Sequence, residues 1–165
     1  MMHPIPARAA SPILPFPPAL GPNLLRLSPL SAPERAPDVL SAEEIAARLD
    51  GSRVLLVEDE VIVALELSME LEDRGAEVVG PAHSLPEAQV LAEEGGIDAA
   101  ILDVDLQGKD VYPVAERLMR AGVPFVFHTG HGDRSELRRR FDGAVVCTKP
   151  TLSEELVETL ASIMR

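Results

Sequence analysis

From residue 53 onward the chain alternates short, unbroken apolar runs with longer stretches of mixed polarity. The runs are Val54-Leu55-Leu56-Val57, Ala99-Ala100-Ile101-Leu102, Phe125-Val126-Phe127 and Val145-Val146-Cys147. Runs of this length predict strands of a parallel sheet buried on both faces. With one more strand around Val78, the pattern reads strand then helix five times. The strands fall at 53–58, 76–80, 98–103, 124–128 and 144–148, and the helices at 60–74, 85–95, 111–121, 134–141 and 152–164. This predicts an α/β fold, a five-stranded doubly wound parallel sheet with helices on both faces. Gly75 and Gly122 stand where the first and third of these helices should end in left-handed backbone. Ser84-Leu85-Pro86-Glu87 and Thr151-Leu152-Ser153-Glu154 each offer an N-cap hydroxyl with an acid three residues on.

Upstream of residue 53 the pattern changes. Ser41 and Glu44 frame a short helix, Ala42–Leu49, closed by Gly51, so 41–52 reads as a short helix and linker. Residues 1–40 hold ten of the 15 prolines and show neither helical nor strand periodicity. Such a segment is expected to stay extended or disordered, because it buries too little apolar surface to offset the ordering of its backbone. The expected organisation is therefore a Pro-rich extension at 1–40, the helix and linker, and one domain at 53–165.

Charge narrows the functions. Against 15 Lys+Arg stand 27 Asp+Glu, a formal net charge of −12. Nucleic-acid backbones and anionic membrane surfaces would be repelled, so neither is expected as a partner. No apolar run reaches the roughly 20 residues of a membrane span, and prolines interrupt every candidate signal-peptide core before Leu30. A cytoplasmic protein is expected. The single Cys147, inside a predicted strand, is expected to be a small buried core residue.

The chemistry gathers at the strand ends. Glu58 and Asp59 follow the first strand, Asp103 closes the third, Thr129 follows the fourth and Lys149 follows the fifth. Ligands of open α/β sheets bind in the crevice at the carboxyl ends of the strands, so these side chains should meet. Asp103 as a nucleophile toward phosphorus must work beside a negatively charged phosphoryl group, which calls for a hard divalent cation. Mg²⁺ takes one or two carboxylates, waters and a phosphate oxygen. Asp59, helped by Glu58, supplies carboxylates, and the backbone carbonyl of Asp105 can complete the set. Lys149 and Thr129 would each contact a further phosphoryl oxygen. An X-Pro bond at Lys149-Pro150, cis in a tight turn, would aim the lysine inward.

These motifs carry a resemblance. VLLVEDE at 54–60, AAILDVDL at 99–106, FVFHTGHG at 125–132 and VVCTKP at 145–150 resemble the receiver domain of two-component response regulators, the CheY-like family. The resemblance covers 53–165. It implies a flavodoxin-like sheet of strand order 2-1-3-4-5, with Asp103 as phosphoacceptor, Glu58 and Asp59 as Mg²⁺ ligands, and Lys149 and Thr129 as sensors of the phosphoryl group. It further implies a histidine kinase as phosphodonor, a phosphotransfer protein as a further partner, and slow autodephosphorylation as the only catalysis. Phe127-His128-Thr129-Gly130 with Val111-Tyr112-Pro113-Val114 is similar to an alphaproteobacterial receiver subgroup whose members work with kinases of the HWE type.

The chain departs from the commoner family pattern at Val146, where an aromatic switch residue is frequent, and at Thr151, where phenylalanine is frequent. The switch is therefore expected to run through Thr129 and the segment 130–141. Asp105 and His131 flank the site and are expected to orient or repel the attacking water. His83, His128 and His131 have no metal-ligand spacing. The expected function is a single-domain response regulator of a phosphorelay, monomeric or weakly homodimeric. It would signal by protein contact or by phosphoryl transfer. One alternative is a phosphate-independent interaction module. Another is a phosphatase of the haloacid-dehalogenase type, suggested by Asp103-Val104-Asp105. That family places its metal-binding acidic pair after the lysine, whereas Glu58-Asp59 lies upstream.

Overall fold

A computed structural model describes residues 40–130 and 134–165. The Pro-rich extension, up to residue 39, and His131 lie outside the described residues. The elements run α1 (Ala42–Leu49), β1 (Arg53–Val57), α2 (Val61–Asp73), β2 (Glu77–Ala82), α3 (Leu85–Glu94) and β3 (Ala99–Asp103). They continue with α4 (Tyr112–Ala121), β4 (Phe125–Thr129), α5 (Arg134–Arg140), β5 (Val145–Thr148) and α6 (Ser153–Ile163). The five strands form one sheet of order β2-β1-β3-β4-β5 with every pairing parallel, the doubly wound arrangement expected.

Strand alternation divides the core in two. Leu55, Val57, Ala100, Leu102, Phe125 and Phe127 point into one cluster with Val114, Leu118 and Phe141. Val54, Leu56, Ala99, Ile101 and Val126 point into the other, with Leu67, Leu71, Leu156 and Leu160. The second cluster also takes Ile45 and Leu49 from α1, so that helix packs into the same core as the sheet. Ser41 and Glu44 form the expected reciprocal cap of α1. Arg48 then donates to the carbonyls of Ala161 (2.9 Å), Ser162 (3.3 Å) and Met164 (3.0 Å), satisfying the open end of α6.

Four expectations need correction. β2 runs on to Ala82 instead of stopping at 80, because Gly80, at φ +110, lets the strand pass a register irregularity and resume pairing opposite Val57. A Cβ at Gly80 would lie 2.7 Å from the Ala82 nitrogen, so no other residue fits there. Ser84 makes no side-chain cap; Glu87 instead accepts the backbone N–H of His83 at 2.9 Å. Thr151 does not cap α6 either. Its hydroxyl donates to the Thr148 carbonyl at 2.6 Å, and Leu152 takes the N-cap position. Cys147 is half-buried, because β5 lies at the sheet edge where all four of its residues keep some exposure. Gly75 and Gly122 both have positive φ, and the Gly122 N–H closes α4 on Leu118 and Met119 as expected.

Candidate functional site

Each site residue is delivered by the end of an element. Leaving β1, the chain places Glu58, Asp59 and Glu60 in the turn before α2, with the Glu58 N–H held by the Ala82 carbonyl at 3.0 Å. Asp103 is the last residue of the central strand β3, 6% exposed. Thr129, the last residue of β4, is buried, and its carbonyl accepts the Lys149 N–H at 2.9 Å. Lys149 follows β5, and its bond to Pro150 is cis. Asp59, Glu60, Asp103, Thr129 and Lys149 line a cleft of about 600 Å³ together with Asp105, Asp110 and Tyr112, and Glu58 is buried beneath it.

Within the cleft Lys149 is the hub. Its Nζ donates to Asp103 Oδ2 and to Glu58 Oε1, both at 2.8 Å, and to Glu60 Oε1 at 3.0 Å. Burial would lower the lysine's affinity for its proton, but the hydrogen bonds to Asp103, Glu58 and Glu60 more than reverse this and hold it firmly cationic. Asp103 goes the other way. Burial pushes its carboxyl up, the Lys149 hydrogen bond opposes, and the nearby Glu58 charge adds to the rise, leaving it at about 6. Burial also acts to raise Glu58. Contacts with His128 and Lys149 outweigh it and leave that carboxyl below its ordinary value.

Oxygens of Glu58, Asp59 and Asp103 lie within 4.8 Å of one another. Three convergent carboxylates, two of them buried, form a donor set suited to a hard divalent cation. The loop after β3 is folded back on itself. Leu106 and Lys109 exchange backbone hydrogen bonds across Gln107 and Gly108, both at positive φ, and Asp105 pairs with Asp110. The Asp105 carboxylate accepts the Gly108 N–H at 2.6 Å, so it is committed to this turn, while its own N–H donates to Asp103 Oδ1 at 3.2 Å. One oxygen of the Asp105 carboxylate is thus engaged in the turn, while the residue stays on the wall of the cleft.

Sequence reasoning missed two neighbours. Glu60, 62% exposed at its side chain, is the third carboxylate on Lys149, and its only signal was its place directly after Glu58-Asp59. His128, set aside as a metal ligand, stands opposite Asp103 in the β3–β4 register with Nδ1 3.6 Å from Glu58 Oε2. His83 also touches the site, its Nδ1 lying 2.8 Å from the Glu58 carbonyl oxygen. Tyr112 carries the cleft toward α5: its ring lies 5.6 Å from that of Phe141, and the Arg140 guanidinium sits 4.6 Å above it.

A doubly wound sheet with carboxylates and a lysine gathered at the carboxyl ends of its strands defines an α/β domain built around a cation-and-anion site at that edge. The family model for the response regulator receiver domain matches residues 54–161, and the chain belongs to that family. Receiver domains are the signalling modules of two-component systems; they interact with histidine kinases and bind Mg²⁺ through acidic residues. Among curated relatives, the transcriptional regulatory protein PdtaR of Mycobacterium tuberculosis is 30% identical over 66% of this chain and 54% of its own length. The phyllosphere-induced regulator PhyR of Methylorubrum extorquens is 30% identical over 67% of this chain and 42% of its own. This chain thus spans about half the length of the curated relatives it matches. The solution structure of SdrG from Sphingomonas melonis is 36% identical, covers 76% of this chain and all of that one, and superposes with a TM-score of 0.57.

Proposed function

We propose that this chain is a phosphoryl-accepting response regulator, with Asp103 taking the phosphoryl group from a phosphohistidine of a histidine kinase or phosphotransfer protein. The observation that carries the reading is the grip of Lys149 on Asp103 at 2.8 Å, beside carboxylates of Glu58 and Asp59. An Asp103 oxygen attacks phosphorus, the P–N bond to the donor histidine breaks, and the electron pair returns to that imidazole. Glu58, Asp59, Asp103 and the Asp105 carbonyl would hold Mg²⁺, which when bound offsets the negative charge of carboxylate and phosphoryl group together. Lys149 then exchanges a carboxylate for a phosphoryl oxygen, and the Thr129 hydroxyl donates to another.

The rim of the cleft supports a protein donor. Exposed Val61, Ile62, Leu65 and Met69 run along α2 from the turn that holds Glu58 and Asp59, and exposed Leu152 follows the Lys149-Pro150 turn. Among the described residues no helix is long and apolar enough to cross a membrane. The donor is read as a kinase of the HWE type, the compartment as the cytoplasm, and the output as protein contact or onward phosphoryl transfer. Residues 53–165 are read as the receiver domain and 1–40 as an extension to it.

The test is intact mass after incubation with acetyl phosphate and Mg²⁺. A gain of one phosphoryl group is expected, absent with chelator and in Asp103→Asn. No gain, together with no beryllofluoride binding, would leave the phosphate-independent interaction module.

A further inference from the structure

Glu58 is held asymmetrically. Its Oε1 accepts two donors, Lys149 Nζ at 2.8 Å and the Glu60 N–H at 3.2 Å. Its Oε2 accepts none, is fully enclosed, and faces the His128 ring with Nδ1 3.6 Å away. Neither nitrogen of that ring has a hydrogen-bond partner among the described residues, and the histidine is 3% exposed. A buried carboxylate oxygen and a buried imidazole without partners are each costly. They are also each other's nearest remedy: a shift of about 0.7 Å brings the pair to ordinary N–H···O length.

The position itself asks for an explanation. His128 lies in β4 between Phe127 and Thr129, a strand whose five residues are all buried. An aliphatic side chain would fill it without leaving two ring nitrogens unsatisfied. What distinguishes this place in the strand is its register partner Asp103 and the inner oxygen of Glu58. Glutamate has one more methylene than aspartate and one more torsion to fix, so its carboxylate needs an anchor on the far side if Oε1 is to stay turned toward Lys149 and Asp103.

We propose that His128 is a positioning residue for the cation site, donating from Nδ1 to the inner oxygen of Glu58 and so presenting the outer oxygen to the metal. The inference rests on the proposed function, since it concerns the cation that function requires. The histidine is not a ligand; it acts through Glu58, as outer partners of metal ligands generally do.

The test is a calorimetric titration of the full chain with MgCl₂, made on the wild type, His128→Leu and His128→Asn. Loss of an outer partner of this kind typically weakens metal binding about 10- to 100-fold. We expect His128→Leu to bind Mg²⁺ about tenfold more weakly. His128→Asn, whose side-chain amide falls where Nδ1 does, should stay within about threefold of the wild type. A folded His128→Leu, judged by its thermal melt, that binds Mg²⁺ as tightly as the wild type would overturn the proposal. Should the leucine variant not fold, the wild-type ring decides. A long-range ¹H–¹⁵N spectrum must place the proton on Nδ1; a proton on Nε2 alone would sink the idea. If the wild type itself binds no Mg²⁺, the proposed function falls, and this inference with it. That outcome is distinct from a wild type that binds and a leucine variant that binds equally well.

Discussion

The two edges of the sheet solve opposite problems. At the carboxyl edge, the side chains of Glu58, Asp103, His128 and Lys149 crowd together beneath the exposed Glu60, one carboxyl is driven up to about 6, and polar atoms of Glu58 and His128 go without partners. At the amino edge Arg48, Arg53 and Asp98 are spent on holding the chain. Arg48 closes the end of α6, Asp98 accepts the Arg53 N–H at 2.8 Å, and the Arg53 guanidinium donates to the Gly96 carbonyl at 2.8 Å. The contrast assigns stability to one edge and chemistry to the other, with the buried strands β3 and β4 connecting them. A site that must accept charge is left electrostatically tense, and the opposite edge supplies the firmness.

The sharpest way to break this comparison is Asp103→Asn. Phosphorylation should vanish entirely while thermal stability holds or rises. The sign follows from the carboxyl being raised from 3.8 to about 6: the stability it lends is complete below about pH 4 and is lost as pH rises through about 6. At pH 7.5 without metal the variant should therefore be the more stable, by on the order of 1 kcal/mol. A clear drop in its melting temperature would contradict the tension ascribed to the site. The complementary substitution is Leu49→Ala, which removes a fully buried side chain of α1 from the core. It should cost about 3 kcal/mol in a denaturant melt. The phosphoryl gain from acetyl phosphate should be unchanged below the transition, and a loss of labelling there would mean the two edges are not separable.

Acidity offers a finer test. In the metal-free protein the Asp103 carboxyl should titrate near pH 6, read from the ¹³C shift of its side-chain carboxyl between about pH 3 and 8. A midpoint near pH 4 would place the carboxyl back at its ordinary value. The smallest effect is expected of Glu60→Gln. This exposed carboxylate is one of three on Lys149, and exposed pairs contribute about 0.2–1 kcal/mol. Its removal should ease the lysine toward the phosphoryl group and quicken labelling about twofold. Slower labelling would instead make Glu60 a contributor to the site.

Most of the fold was legible because the apolar runs are continuous where strands are buried on both faces, and their ends are marked by residues no core would hold. Glu58, Asp59, Asp103, Thr129 and Lys149 could be grouped for the same reason: the carboxyl ends of parallel strands lie together whatever else the chain does. What stayed hidden depends on competition between neighbours. Glu87 took the backbone N–H of His83 rather than completing a cap with Ser84. Thr151 likewise spent its hydroxyl on the carbonyl of Thr148. Asp105 could be placed near the site by spacing, but its bond to the Gly108 N–H depends on the tight turn at Gln107-Gly108 that spacing does not show. His128 looked like any strand residue, because its meaning lies in what stands opposite on the next strand and beneath the end of β1.

The chain contains no tryptophan and a single tyrosine. That one phenol ring, Tyr112, lies on the wall of the cleft with a guanidinium over its face. The protein's near-ultraviolet emission is therefore a built-in optical gauge of a single place, read without any label. Whatever enters the cleft or moves Arg140 should register as a change in the brightness of the whole molecule.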